Sequence, residues 1–295
     1  IWWPSIFYVF GSVGFVWAAL MAAFGASHPA AHACISAAER EAIEPHARDL
    51  RTERETPRET SLTSQLWRSI PWLELTCSPA FLSICAAHFS HNWGQYLLLS
   101  WIPKYLTHLG LTLDRGGLLY ALPFICAALL DNAAAWIADE LLLQRLHFSL
   151  RATRKTMQAV AMLVPMACLL SLSWTTDPYV AVGFLTAAVS FGSLSHSGYS
   201  ANIIDIAPQL AGPLMGIVNT IGTVPGVLAN WFAGYVLSQP GGSWAQVFAV
   251  SVLVYATGLV AFLRYAQGHE LLRPCSPARS VEPRELTTAT ASEGI

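Results

Sequence analysis

Seven long apolar runs constrain this chain more than any other feature. They lie at about 3–25, 79–102, 117–138, 156–174, 179–204, 210–237 and 244–265. Each is near the roughly 20 residues that a membrane-spanning helix needs. Hydrophobic residues make up 54% of the 295 and charged residues 12%, about half the charge usual in a soluble domain. A water-soluble fold of this size would need more charge on its surface, so the expectation is an all-α polytopic membrane protein. Proline fits that reading. Pro79 suits a first helical turn and Pro103 follows an end, while Pro123, Pro165 and Pro225 lie inside spans, where neighbouring groups satisfy the freed carbonyls.

Basic residues set the orientation. Arg40, Arg48, Arg51, Arg54, Arg58 and Arg68 follow the first run. Arg145, Arg151, Arg154 and Lys155 follow the third, and Arg264, Arg273, Arg279 and Arg284 follow the last. Fourteen of the sixteen thus fall on one side of a seven-span arrangement, leaving Lys104 and Arg115 on the other. The positive-inside rule makes the basic side cytoplasmic, or stromal in a plastid. A missed or invented span would scramble this asymmetry.

The remaining segments divide simply. Residues 1–27 hold the first span, and 28–78 read as a polar, partly helical linker dense in both signs of charge. Residues 79–266 form a six-helix bundle, and 267–295, rich in Ser, Thr, Pro and Glu, read as a disordered tail. The chain begins at Ile1 inside an apolar run, without Met. The expectation is a fragment whose N-terminal part, with any targeting peptide, lies upstream. The net charge of −2 argues against a nucleic-acid partner. The six cysteines, Cys34, Cys77, Cys85, Cys126, Cys168 and Cys275, show no C-x-x-C spacing and read as small hydrophobes. No H-E-x-x-H, P-loop or G-x-S-x-G motif occurs, so no enzyme, cofactor or metal site is expected.

Polar groups are unevenly shared among the spans. The second carries His88, His91, Asn92 and Gln95, spaced to share one helical face. The third carries Asp131 and Asn132, the fifth His196 and Asn202 with Asp205 at its exit, and the sixth Asn219 and Asn230. The first, fourth and seventh are nearly clean, with Gln158 and Gln246 close to span ends. Polar groups at membrane depth face a bundle interior or an aqueous cavity, so four inner helices are expected, with the second presenting a wet face. Asp131 reads either as a proton or ion site or as a protonated hydrogen bonder. The pairs Gly212/Gly216 and Gly222/Gly226 in the sixth span read as close-packing positions, and SFGSLSHSGYSAN (Ser190–Asn202) as a hydroxyl-rich stretch.

Several of these segments resemble the anion:cation symporters of the major facilitator superfamily. These include sodium–phosphate cotransporters, vesicular glutamate transporters, sialin and plant plastid phosphate transporters. WPSIFYVFGSVGFVW (Trp3–Trp17) is similar to the family's sixth helix and HFSHNWGQYLLLSWIPKYL (His88–Leu106) to its seventh. HACISAAE (His32–Glu39) resembles H-P-x-I-S-x-x-E, with Ala33 in place of Pro. AWIADELLLQR…RK (Ala135–Lys155) resembles the end of the eighth helix, and NIIDIAPQLAGPLMGIVNTIGTVPGV (Asn202–Val227) the N-H-x-D-I-A-P motif and the helix after it. The matches cover nearly the whole chain, in the family's order, and the plastid branch is the most similar. Ala135, Ile203 and Asp131 depart from the pattern, and His91 stands where glutamate transporters carry arginine.

The resemblance implies the C-terminal half of this fold, helices six to twelve, with a missing N-terminal half-bundle as partner. It implies a secondary transporter of a small anion, inorganic phosphate first, coupled to Na⁺ or H⁺ in a plastid envelope or thylakoid membrane. Ascorbate, glutamate or a nucleotide is the alternative substrate. A seven-helix receptor and a truncated, non-transporting membrane protein are the other readings. No lysine lies inside a span to hold retinal. The expected path residues are His88, His91, Asn92, Tyr96, Asp131, Asn202 and Asn219. The expected cytoplasmic gate is Asp139 with Arg145, Arg154 and Lys155.

Overall fold

Short polar caps fix where the helices of this chain begin. Ser78 Oγ accepts from Phe81 N at 3.2 Å and starts α3 (Pro79–His108), with Pro79 where a missing N–H is harmless. Ser149 does the same for α5 (Leu150–Leu172), and Asp177 for α6 (Pro178–Gly192). Ser243 and Gln246 form a reciprocal capping box at the start of α9 (Trp244–Tyr265). The other helices are α1 (Ser5–Phe24), α2 (Trp72–Thr76), α4 (Leu113–Trp136), α7 (Tyr199–Ile206) and α8 (Ala211–Ser238). The computed structural model describes residues 3–26, 31–32, 35–41, 72–111 and 113–271. Most of the expected linker, the tail beyond 271, Cys34 and Cys275 lie outside the described residues.

The chain divides into two units, Ile1–Pro71 and Trp72–Ile295. The first contains α1, which has no charged residue, and a helical segment at 37–41. Among the described residues the second contains all the other helices, with α2 joining it ahead of the expected start at 79.

Among the described residues, six spans are long and apolar enough to cross a membrane: α1, Gly117–Arg145, α5, Pro178–Ile206, α8 and α9. The seventh expected span, α3, has 30 residues and reaches about 45 Å at 1.5 Å per residue. Its histidines, Asn92 and Gln95 keep it out of the apolar set. It continues past Pro103 instead of stopping there, with Thr107 Oγ1 bonding Pro103 O at 2.8 Å. The third span extends beyond 138 because α4 passes into a π-helical stretch, Ile137–Arg145. The fifth span is not one helix. A 3-10 turn, Ser193–His196, separates α6 from α7.

In the second unit α3 packs between α8 and α9, α5 against α6 and α9, and α4 against α6. Phe81, Ile84, Leu106, Leu169, Leu185 and Phe262 are fully buried in the shared core. Of the two glycine pairs in α8, only Gly222/Gly226 meets a neighbour: a Cβ there would touch His88 and Tyr96 of α3. Gly212 and Gly216 face open space.

The ends of the bundle agree with the charge pattern. At one end Lys155 Nζ donates to Leu263 O in the last turn of α9, and a Cβ on Gly268 would meet the Arg151 backbone. At the other end Tyr105 OH donates to Leu172 O, and Lys104 lies 4.7 Å from the Trp101 ring, which meets Trp244 at the start of α9. Arg151 and Lys155 therefore share an end with the close of α9, and Lys104 sits at the opposite one. The first residues of the expected tail, 267–271, pack against the bundle. Gln267 O accepts from Asn202 Nδ2 at 2.6 Å, and Leu271 N donates to Ile206 O at 2.8 Å, holding these residues to α7.

Candidate functional site

The interruption of the fifth span builds the site. Serine hydroxyls around it bond locally, as Ser193 Oγ does to Ser190 O at 2.8 Å, and so compete with helix continuation. Gly198 then lets the chain approach α5. A Cβ there would lie 2.4 Å from Gln158 Oε1 and 3.1 Å from Gln158 N. Buried Gln158 bridges the break: its Nε2 donates to Ser195 Oγ at 3.2 Å, and its Oε1 accepts from Tyr199 N at 3.0 Å. One orphan N–H at the start of α7 is thereby satisfied. The break leaves His196 exposed and turns Tyr199 inward, where it stacks on His88 at 4.7 Å between ring centroids.

His196 projects into a polar cavity of about 370 Å³ lined by Asp131, Asn132, Ala135, Asp139, Arg154, Ser197 and Ala201. Asp131, Ala135 and Asp139 follow one another four residues apart, on a single face running from α4 into its π-helical end. His196 Nδ1 and Asp131 Oδ1 are 2.9 Å apart, with the side chains 55% and 41% exposed. While Asp131 is ionised its carboxylate can only accept, and Nδ1 then carries the proton of this bond. Near the basic end, Arg154 Nε and Nη2 donate to Asp205 Oδ2 and Oδ1 at 2.7 and 3.2 Å, and Nη1 donates to Ser197 O at 3.2 Å. This fork-to-fork pair is 11% and 10% exposed, and with the Ser197 bond it pins both ends of α7 to α5.

The expected path residues fall in different places. Asp131 lines the cavity. His88 and His91 are buried among helices instead of forming a wet face, and each has an unpartnered Nδ1. The His91 ring lies 6.0 Å from those of both His196 and Tyr199, directly behind the cavity. Asn92 Nδ2 contacts His88 Nε2 at 3.0 Å and donates to Gly222 O at 2.7 Å, joining α3 to α8. Tyr96 packs at Gly226. Asn219 is exposed on α8, away from the cavity lining. Asn202 is fully buried and holds Gln267, so it serves as a strut at the bundle end rather than in the lining.

The four expected gate residues do not form one ion-pair cluster. Asp139 and Arg154 share the cavity, but the partner of Arg154 is Asp205. Arg145 Nε bonds Glu140 Oε1 at 3.1 Å, and Lys155 reaches α9. Asp205, Gln158 and Tyr199 were absent from the expected site. The signal for Asp205 was present: it is the acid of the D-I-A-P segment, at a span exit on the side where Arg154 begins the preceding helix.

Comparison with known proteins agrees with this architecture. Residues 1–230 match the profile of the Major Facilitator Superfamily. The chain belongs to that superfamily. Its curated relatives include the "Ascorbate transporter, chloroplastic" of Arabidopsis thaliana, 35% identical over 271 residues, 92% of this chain and 47% of that protein. The "Sodium-dependent phosphate transport protein 1, chloroplastic" of the same plant is 33% identical, over 92% of this chain and 49% of its own length. Human sialin is 31% identical, over 90% and 52%. The chain thus spans about half the length of the curated relatives it matches. These relatives fit the anion:cation symporter branch of the superfamily. Membership sets aside the seven-helix receptor and makes this an integral membrane protein.

Proposed function

We propose that this chain is the C-terminal half of a secondary active transporter for a small anion, inorganic phosphate first, working by alternating access with an N-terminal half-bundle. The observation that carries the reading is the broken fifth span. It sets an exposed, hydrogen-bonded His196–Asp131 pair in a polar cavity among apolar helices. Discontinuous helices at a cavity are how such folds present polar groups to cargo inside a membrane. His91, Asn92 and Tyr96 would support the cavity from α3, and Asp139 with Arg154 would close its basic end. Relatives named as chloroplastic favour a plastid membrane.

The test is transport by the full-length protein carrying both halves, reconstituted in liposomes. Uptake of ³²P-phosphate is measured under separately imposed Na⁺ and pH gradients, with unlabelled ascorbate and glutamate as competitors. Gradient-driven phosphate uptake is expected. Competition by ascorbate below the concentration at which phosphate itself competes would reassign the substrate to an organic anion. Absence of uptake of any of the three by folded protein would overturn the reading.

A further inference from the structure

The charges around the cavity do not by themselves suit an anion. Arg154 is the one lining residue that is always cationic, and its guanidinium is occupied by Asp205 and Ser197 O. Asp131 and Asp139 then face a single His196. Behind it, α3 contributes His91 and His88 and α7 contributes Tyr199, all buried. With Asp131 ionised, the Nδ1–H of His196 is committed to that carboxylate at 2.9 Å. A protonated His196 and two carboxylates leave the site net negative, which repels an incoming anion.

We propose that the Asp131–His196 pair is a proton-operated latch for the anion, so that the coupling ion is H⁺; this rests on the anion-transport reading above. A proton taken from water on the entry side neutralises Asp131. The carboxyl then has an O–H to donate, and the imidazolium N–H is released from its partner. Both donors can turn to an anionic oxygen, and charge-assisted bonds of this kind are strong. On the exit side the anion leaves, Asp131 loses its proton to water and takes His196 back. One proton therefore crosses with each turn of the latch. The exposure of both side chains lets water and a small anion reach them.

The test compares the full-length protein with D131N by ³²P-phosphate counterflow in liposomes without ion gradients, from pH 5.5 to 7.5. The amide imitates the neutral carboxyl at every pH. Ionisation of phosphate itself affects both proteins alike, so the readout is the ratio of the variant's exchange rate to that of the wild type. The ratio is expected to be at least fivefold larger at pH 7.5 than at pH 5.5, while acceleration of net uptake by an inward proton gradient is lost. H196Q, as a second variant, is expected to lower exchange at least tenfold at pH 5.5. A ratio independent of pH with proton drive intact, or folded D131N without exchange, overturns the latch and leaves the transporter reading standing. No exchange by the wild-type protein overturns both.

Discussion

At Gly222 a Cβ would lie 2.5 Å from His88 Cε1 and within 2.8 Å of both ring nitrogens. His88 cannot easily move aside. Its ring is stacked on Tyr199 and its Nε2 contacts Asn92, whose amide also bonds Gly222 O. The bare backbone of α8 is therefore what allows a polar side chain of α3 to be buried without a gap. Gly222→Ala should destabilise the protein by about 1–3 kcal/mol, as overpacking of a filled core does. Gly183→Ala, at an exposed site with nothing within 4 Å of the new methyl, should be neutral or slightly stabilising. Thermal unfolding in detergent reads both. Equal midpoints for the two variants would show that α3 and α8 do not meet through this contact.

Among the elements, the α6–α7 break depends on what fastens it. Gln158 fills its inner side, and Arg154 ties Ser197 O, just before α7, to Asp205 near the end of that helix. Lysine in place of Arg154 keeps the charge but cannot reproduce the two-pronged bond and the third bond to Ser197. Arg154→Ala should cost about 3–5 kcal/mol, because it leaves a nearly buried carboxylate unpaired. Arg154→Lys should fall between that and the wild type, measured by the same unfolding. Lysine matching arginine would mean that charge alone, not the fork, holds the break.

These elements also show what a sequence reader could see. The apolar runs and their Ser, Asp and Pro starts are local signals, and α9 falls within the residues expected for it. The α6–α7 break is not a local signal. The Ser- and Gly-rich stretch stays apolar enough to continue a span, and the turn exists because Gly198 packs on Gln158, some forty residues earlier in the chain. The Arg154–Asp205 pair joins residues 51 apart, so each was legible as a charge near a span end but not as the other's partner. Asn202 was misplaced for a related reason. Hydropathy cannot distinguish a buried strut from a cavity-lining amide.

For the whole second unit, Arg151 and Lys155 share one end with the close of α9 and Lys104 lies at the other. The protein should therefore insert with these ends on opposite sides of the membrane. Cysteine introduced at exposed Leu146 should react with an impermeant thiol reagent only from the cytoplasmic or stromal face. Cysteine at Gln239 should react only from the other face. Both reacting from one face would contradict the span count.

The most direct measurement of the central claim, that the cavity between α4 and the α6–α7 break receives the anion, is ligand protection. Ala135 and Ala201 line this cavity from α4 and α7. In a full-length, cysteine-free background, Ala135→Cys and Ala201→Cys would each be alkylated with and without inorganic phosphate, with Leu146→Cys as the control. The account predicts that phosphate slows alkylation at both lining positions at least threefold and leaves Leu146→Cys unaffected. Equal rates at all three positions, in protein that still carries phosphate, would place the anion elsewhere and contradict it.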